Sequence, residues 1–251
     1  MKTIEFEKKQ TEIIINLVKA QLFDEVINKT LPLIKKFPGN YIFFNALSIA
    51  YINKKKYSDS LNVLQTILKK NEKNIFVLNN LGLTHYYLEN FSAARDYFNR
   101  ALKENPNFLD SIMNLANVSS KLNNNDDAIS ILIKALGKYE SNFFLHYTLG
   151  ALYQTKGDFQ KSNYHLEKSI ELNPNYYESY RALSLSKKFD ENDNKIKFLK
   201  EKILDPQLSI SKKVSICFTL GKYFDDLKNY KESFKYYHEA NNLKSKLTNY
   251  N

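Results

Sequence analysis

Cysteine occurs once in the 251 residues, at Cys217. No disulfide framework or cysteine-based zinc site can form within one such chain, which suits a reducing compartment. Glycine (6 residues) and proline (5 residues) are also scarce. All-β and doubly wound α/β folds need more turn residues than this, so helices are expected throughout. Long apolar runs are missing as well. No stretch approaches the roughly 20 apolar residues of a membrane span. Charges break up the N-terminal MKTIEFEKKQTEIIINLVKA, unlike a secretory signal. The expectation is a soluble, cytoplasmic chain.

Apolar residues make up 43% of the chain, enough to bury a continuous core. The net charge of +10 raises the question of nucleic acid. Its distribution argues against that reading. The balance is +6 over residues 1–74, −1 over 75–176 and +5 over 177–251. Lysine outnumbers arginine 34 to 3, whereas base-reading surfaces favour the bidentate arginine fork. A solvated Lys-rich surface is expected. Binding of nucleic acid or acidic surfaces through the Lys-rich ends is a minor alternative.

A period of 34 residues runs through the sequence. With Ile75 as position 1, Leu81-Gly82 fall at positions 7 and 8, Ala94 at 20, Phe98 at 24, Ala101 at 27 and Pro106 at 32. One period later come Leu115-Ala116, Ala128, Leu132 and Ala135, and then Leu149-Gly150, Tyr153, Gly157, Ser162, Leu166, Ser169 and Pro174. One period earlier come Phe44, Leu47-Ser48, Tyr51, Ser60 and Leu64, and before them Pro38 keeps its place at position 32. This spacing resembles the tetratricopeptide repeat (TPR). Five units are expected over residues 1–176: 7–40, 41–74, 75–108, 109–142 and 143–176. Each should be two antiparallel helices, A then B. Small residues at 8, 20 and 27 let the helices approach, and large ones at 4, 7, 11, 17 and 24 fill the layers. The resemblance implies an all-α solenoid, a right-handed superhelix of helix pairs.

Past Tyr176 the register slips. Residues 177–188 read as a helix A, the acidic 190–194 as a break, 195–204 as an amphipathic helix, and Asp205-Pro206 as its stop. Together, residues 177–213 read as an irregular helical pair. Ser209 or Ser211 is expected to cap the next helix, and the repeat returns from Val214 over 214–251. That last unit, Phe218-Thr219-Leu220-Gly221-Lys222 through Tyr230, Tyr237 and Ala240-Asn241 to Lys244, is similar to the unit joining the repeat arm to the catalytic domain in bacterial TPR–sulfotransferase proteins. The resemblance covers residues 177–250. It implies a sulfotransferase-associated arm, with such a domain in cis or in trans at the C-terminal end. The family's phosphate-binding loop has no counterpart here, so no catalytic or donor-binding residue carries over.

Catalysis is not expected of these residues, and no cofactor or metal is expected. His85, His146, His165 and His238 show no metal-ligand spacing. Asp126-Asp127 and Asp225-Asp226 fit helix ends better than an acid–base pair. A binding expectation attaches to the concave face, where helix A positions 2, 5, 6, 9, 12 and 13 of a TPR stack point. There lie Asn45, Ile49, Phe76, Asn79, Asn80, Leu83, Tyr86 and Tyr87, followed by Met113, Asn114, Asn117, Phe144, Tyr147 and Gln154. Aromatic rings among amides suit an extended peptide. Asn80 and Asn114 share position 6, where sugar-transferase TPR arms carry a peptide-binding Asn ladder. The carboxylate clamp of chaperone-binding TPRs is missing its lysine, because Asn79, Met113 and Tyr147 hold position 5. Two functions are expected: an arm presenting an acceptor or partner to a sulfotransferase-like domain, or a freestanding peptide-binding adaptor.

Overall fold

The computed structural model describes residues 2–248. Among them are fourteen α-helices and no strand. They are α1 (Lys2–Lys19), α2 (Phe23–Lys36), α3 (Tyr41–Asn53), α4 (Tyr57–Leu68), α5 (Ile75–Tyr87), α6 (Phe91–Glu104) and α7 (Leu109–Lys121). There follow α8 (Asn125–Leu136), α9 (Phe143–Thr155), α10 (Phe159–Leu172), α11 (Tyr177–Ser184), α12 (Asn194–Lys202), α13 (Ile210–Asp226) and α14 (Tyr230–Thr248). The chain forms two compact units, Met1–Ile131 and Leu132–Asn251, dividing inside α8.

Local chemistry sets the helix ends. Asn74 and Asn142 cap α5 and α9, their side-chain oxygens accepting from the second and third amides of each helix. Asn40 does the same for α3 through Ile42 N. Such caps contribute about 1 kcal/mol each. The A helices also end alike. Gln21, Lys55, Glu89, Asn123, Gly157 and Lys228 are left-handed, with φ of 58–59° at the five non-glycines and 78° at Gly157. Each stands at position 15 of its unit. The next amide reaches back five residues: Lys56 N to Tyr51 O at 2.8 Å, Asn90 N to His85 O at 2.9 Å, and Asp158 N to Tyr153 O at 2.9 Å. This is the Schellman closure. Glycine enters it without strain, whereas each other residue gives up about 1–2 kcal/mol. The turns recur every 34 residues from Gln21 to Gly157, and the last follows 71 residues later at Lys228.

Within a hairpin the smallest A position meets the largest B position. A Cβ on Gly82 would sit 2.5 Å from the Phe98 ring, one on Gly150 2.6 Å from Leu166 Cγ, and one on Gly221 2.8 Å from Tyr237 Cδ1. Ala94, Phe98 and Ala101 are fully buried. In the first unit, Ile14, Val26, Leu33 and Phe43 close the layer between α1, α2 and α3. Phe44, Leu64, Ile67, Val77 and Leu81 close the next. In the second, Tyr177, Tyr180, Leu183, Phe189, Ile196, Leu199, Ile216 and Leu220 join α11, α12 and α13.

One boundary differs from expectation. Helix α11 stops at Ser184 rather than Lys188. Ser186 donates to Asn163 Oδ1, and Lys187 pairs with Glu167, which turns this segment back onto α10. Helix α13 starts at Ile210 with Ser209 at the N-cap, one of the two expected serines, though it makes no side-chain cap bond.

Candidate partner-binding surface

Three of the A helices stand apart in charge. Helices α3, α5 and α9 contain no Asp, Glu, Lys or Arg, although such residues make up 25% of the chain. Helices α6 and α10, the B partners of α5 and α9, carry several each, whereas α4, the B partner of α3, carries Asp59 alone. The charge-free helices are not wholly buried. Ile42, Phe76, Tyr87 and Phe144 expose 46%, 53%, 50% and 42% of their surface. Exposed apolar surface on helices that could have carried charge is the feature to explain.

In the first unit, the expected groove residues divide by depth. Asn79, Asn80 and Met113 are buried, which corrects their assignment to the open face. The asparagine amides bond between repeats. Asn80 Nδ2 donates to Asn45 Oδ1 and, at 3.2 Å, to Ser48 Oγ. Asn114 Nδ2 donates to Asn79 Oδ1 at 3.0 Å, as does Ser111 Oγ. Position 6 of one repeat thus bonds position 5 of the repeat before it. The Asn ladder exists, but its members hold each other.

The remaining residues form two groups. At the start of the A helices, Asn45 and Phe76 line a cleft of about 310 Å³ together with Ile15, Tyr41, Ile42, Asn74 and Val77. Phe76 is set against Phe108, ring edge to face at 5.4 Å. At the far end of α5, Tyr87 stacks on Tyr57 at 5.9 Å and Tyr86 meets Phe91 edge-on at 5.6 Å. Leu83 is half-buried against Phe98 and Val118. Ile49 and Asn114 are half-buried, and Asn117 is exposed.

In the second unit, Phe144, Tyr147 and Tyr176 form one ring cluster, with Tyr147 and Tyr176 at 5.0 Å and Phe144 and Tyr147 at 5.9 Å. Burial, and behind it Glu178, pushes the Tyr147 phenol up, so it stays protonated. Gln154 donates to Ala182 O at 3.0 Å, joining α9 to α11. Tyr147 and Gln154 are thus partly committed to packing, and Phe144 is the exposed member.

The titratable groups resemble packing more than chemistry. His85 stacks on Tyr97, and His146 and His165 are buried against each other. Among the described residues, no three His, Cys, Asp or Glu side chains converge as a metal site would require, and no helix is long and apolar enough to cross a membrane. Sequence reasoning missed Ile15, Ile42 and Asn74. Ile42 at position 2 and Ile15 at position 9 carried the signal, being apolar at positions already assigned to the inner face.

Residues 75–108, 108–143, 143–176 and 214–247 each match a family model described as Tetratricopeptide repeat. No curated protein matches the chain. Among solved structures, the chain is similar to TTC0263, a thermophilic TPR protein of Thermus thermophilus, at 15% identity and a TM-score of 0.65, over 72% of this chain and 98% of that one. It is also similar to pilF of Pseudomonas aeruginosa, at 12% identity and a TM-score of 0.65, over 92% of this chain and 98% of that one. A tetratricopeptide repeat protein from Parabacteroides merdae is similar at 16% identity and a TM-score of 0.62, over 94% and 93% of the two chains.

Proposed function

The chain is a tetratricopeptide-repeat protein, and we propose that it is a non-catalytic, cytoplasmic interaction module whose A helices hold a peptide segment of a partner protein. The observation that carries this reading is the absence of charge from α3, α5 and α9 while their side chains Ile42, Phe76, Tyr87 and Phe144 stand exposed. Such surface costs solubility unless something covers it. Aromatic rings with amides beside them are what buried interface centres use. Phe76, Leu83, Tyr86, Tyr87, Asn117 and Asn45 supply that surface in the first unit, and Phe144 supplies exposed aromatic surface of its own in the second. Asn79, Asn80 and Asn114 serve it from beneath by fixing the repeats against each other, and Met113 is buried.

A photoreactive benzoyl-phenylalanine at position 76 tests the reading in extracts of the source cells. Crosslinking to a partner is expected at 76 and not at Phe159, an aromatic residue equally exposed on α10. Equal labelling at both positions, or none at 76, removes the proposal.

A second reading makes the chain the arm of a sulfotransferase-like protein. It rests on the likeness of residues 177–250 and on α14, where Tyr230 and Phe234 expose 65% and 71% of their surface. Position 21, held by Phe234, is buried at Ile129 in an earlier unit. A further domain or a partner in trans would cover it. The coding sequence and neighbouring genes beyond codon 251 test this reading. A phosphate-loop domain there supports it, and unrelated sequence removes it.

A further inference from the structure

The cleft between α1, α3 and α5 has a chemistry narrower than peptide binding in general. Its floor and walls are Ile15, Tyr41, Ile42, Phe76 and Val77. Its two amides, Asn45 and Asn74, have their oxygens in use. Asn74 Oδ1 accepts from Phe76 N at 3.1 Å and Val77 N at 3.2 Å, and Asn45 Oδ1 accepts from Asn80. Both lone pairs of Asn74 Oδ1 are taken and Asn45 Oδ1 keeps one, while both side chains offer Nδ2 hydrogens, which are donors. The cap bond fixes which way Asn74 faces. The site is therefore an apolar hollow beside two amide donors, with no charged residue on either α3 or α5.

We infer that this cleft seats one aliphatic or aromatic side chain of an uncharged, extended partner segment, whose main-chain carbonyls accept from Asn45 and Asn74, and that it refuses charged segments. The inference rests on the peptide-holding reading above and specifies its substrate class. Three arguments support it. The volume, about 310 Å³, lies at the small end of ligand clefts and has room for one or two side chains. The Nδ2 donors of both amides match backbone carbonyls, and the spare Asn45 Oδ1 lone pair can take a backbone N–H. A carboxylate or ammonium placed there would lose water and meet no counter-ion among the lining residues, which is costly for any charge. This is the reverse of a carboxylate clamp, which selects its ligand by charge.

A phage-displayed library of random dodecapeptides, panned on the immobilised full chain, tests the inference. Enriched peptides are expected to be poor in Asp, Glu, Lys and Arg and to carry Ile, Leu, Val or Phe. Replacing that apolar residue by Asp in a synthetic copy should weaken binding about tenfold or more. Ile42→Asp and, separately, Phe76→Ser should weaken it similarly, while Phe159→Asp on α10 should not. Both altered side chains are exposed, so helical circular dichroism should be unchanged, and the milder Phe76→Ser guards against loss of fold in the other variant. Enrichment of acidic or basic peptides overturns the inference and leaves the peptide-holding reading intact. Uncharged peptides that bind Ile42→Asp, Phe76→Ser and the wild type equally do the same. No enrichment on the wild-type chain overturns both.

Discussion

His146 and His165 meet across the α9–α10 hairpin with their Nδ1 atoms 3.0 Å apart. His146 Nε2 lies 3.2 Å from the carbonyl oxygen of Glu140. A carbonyl only accepts, so His146 carries its proton on Nε2. Its Nδ1 is then the acceptor, and His165 donates from Nδ1. The neutral pair is satisfied in this one arrangement, and an added proton on His146 Nδ1 would set two donors against each other.

Acid should therefore destabilise the second unit. Burial first, and His146 second, holds His165 down to about 4. Burial also lowers His146, with Lys168 adding to the effect and Glu140 O and Glu171 opposing it. The rings of Tyr153 and Tyr164 cover His165 and bring no charge. The unfolded chain takes up a proton near pH 6.5 that the folded chain refuses until about pH 4. Stability is thus full above about pH 6.5 and falls as the pH drops through that window. The expected loss by about pH 5 is about 1–2 kcal/mol. Urea midpoints between about pH 7 and about pH 5 measure it, and His165→Leu should flatten the slope. Parallel slopes in the variant and the wild type would show that the pair does not titrate on unfolding.

The left-handed turns make a second prediction. Glu89→Gly relieves strain at φ 59° and should stabilise the chain by about 0.5–1 kcal/mol after the entropy cost of glycine. Gly157→Ala at φ 78° should cost a similar amount. Thermal melts read both, and a loss of stability in Glu89→Gly would contradict the strain argument.

The hairpin contact between Gly82 and Phe98 makes a third. Gly82→Ala drives a methyl group into the ring and should cost about 1–3 kcal/mol. Combining it with Phe98→Leu should cost less than the sum of the two single changes, because the two sites share one space. Strict additivity in a denaturation cycle would mean the contact is not made.

The amide ladder makes a fourth. Asn80→Ala strips a buried partner from Asn45 and Ser48 and should cost about 1–3 kcal/mol. Asn117→Ala, on the exposed side of α7, should stay within about 0.5 kcal/mol of wild type. Equal effects in chemical denaturation would erase the distinction between bracing and surface amides.

The helix pairs were legible because they rest on size. Gly82, Ala94, Phe98 and Ala101 announce a close crossing whichever partner is bound. The turns were less legible, since only Gly157 advertises a left-handed residue, and Lys55 or Glu89 adopts it because the Schellman bonds outweigh the strain. The fate of Asn79 and Asn80 was not legible. An amide reads the same whether it faces a ligand or a neighbouring repeat, and only the distance to Asn45 or Asn114 separates the cases. The end of α11 depended on Asn163 and Glu167 capturing Ser186 and Lys187 across a loop. The signature of the cleft, charge-free A helices, was present in the sequence but shows only when composition is compared helix by helix.

The amide bonds run one way along the chain: Asn80 gives to Asn45, and Asn114 gives to Asn79. Donor and acceptor are the same two positions each time. A gene that lost residues 75–108 would set Asn114 above Asn45, and a donor would again meet an acceptor. This one unit can therefore drop out or be duplicated without new chemistry at its joints, whereas at the joint after it the same two positions are Met113 and Thr148 and offer no amide pair.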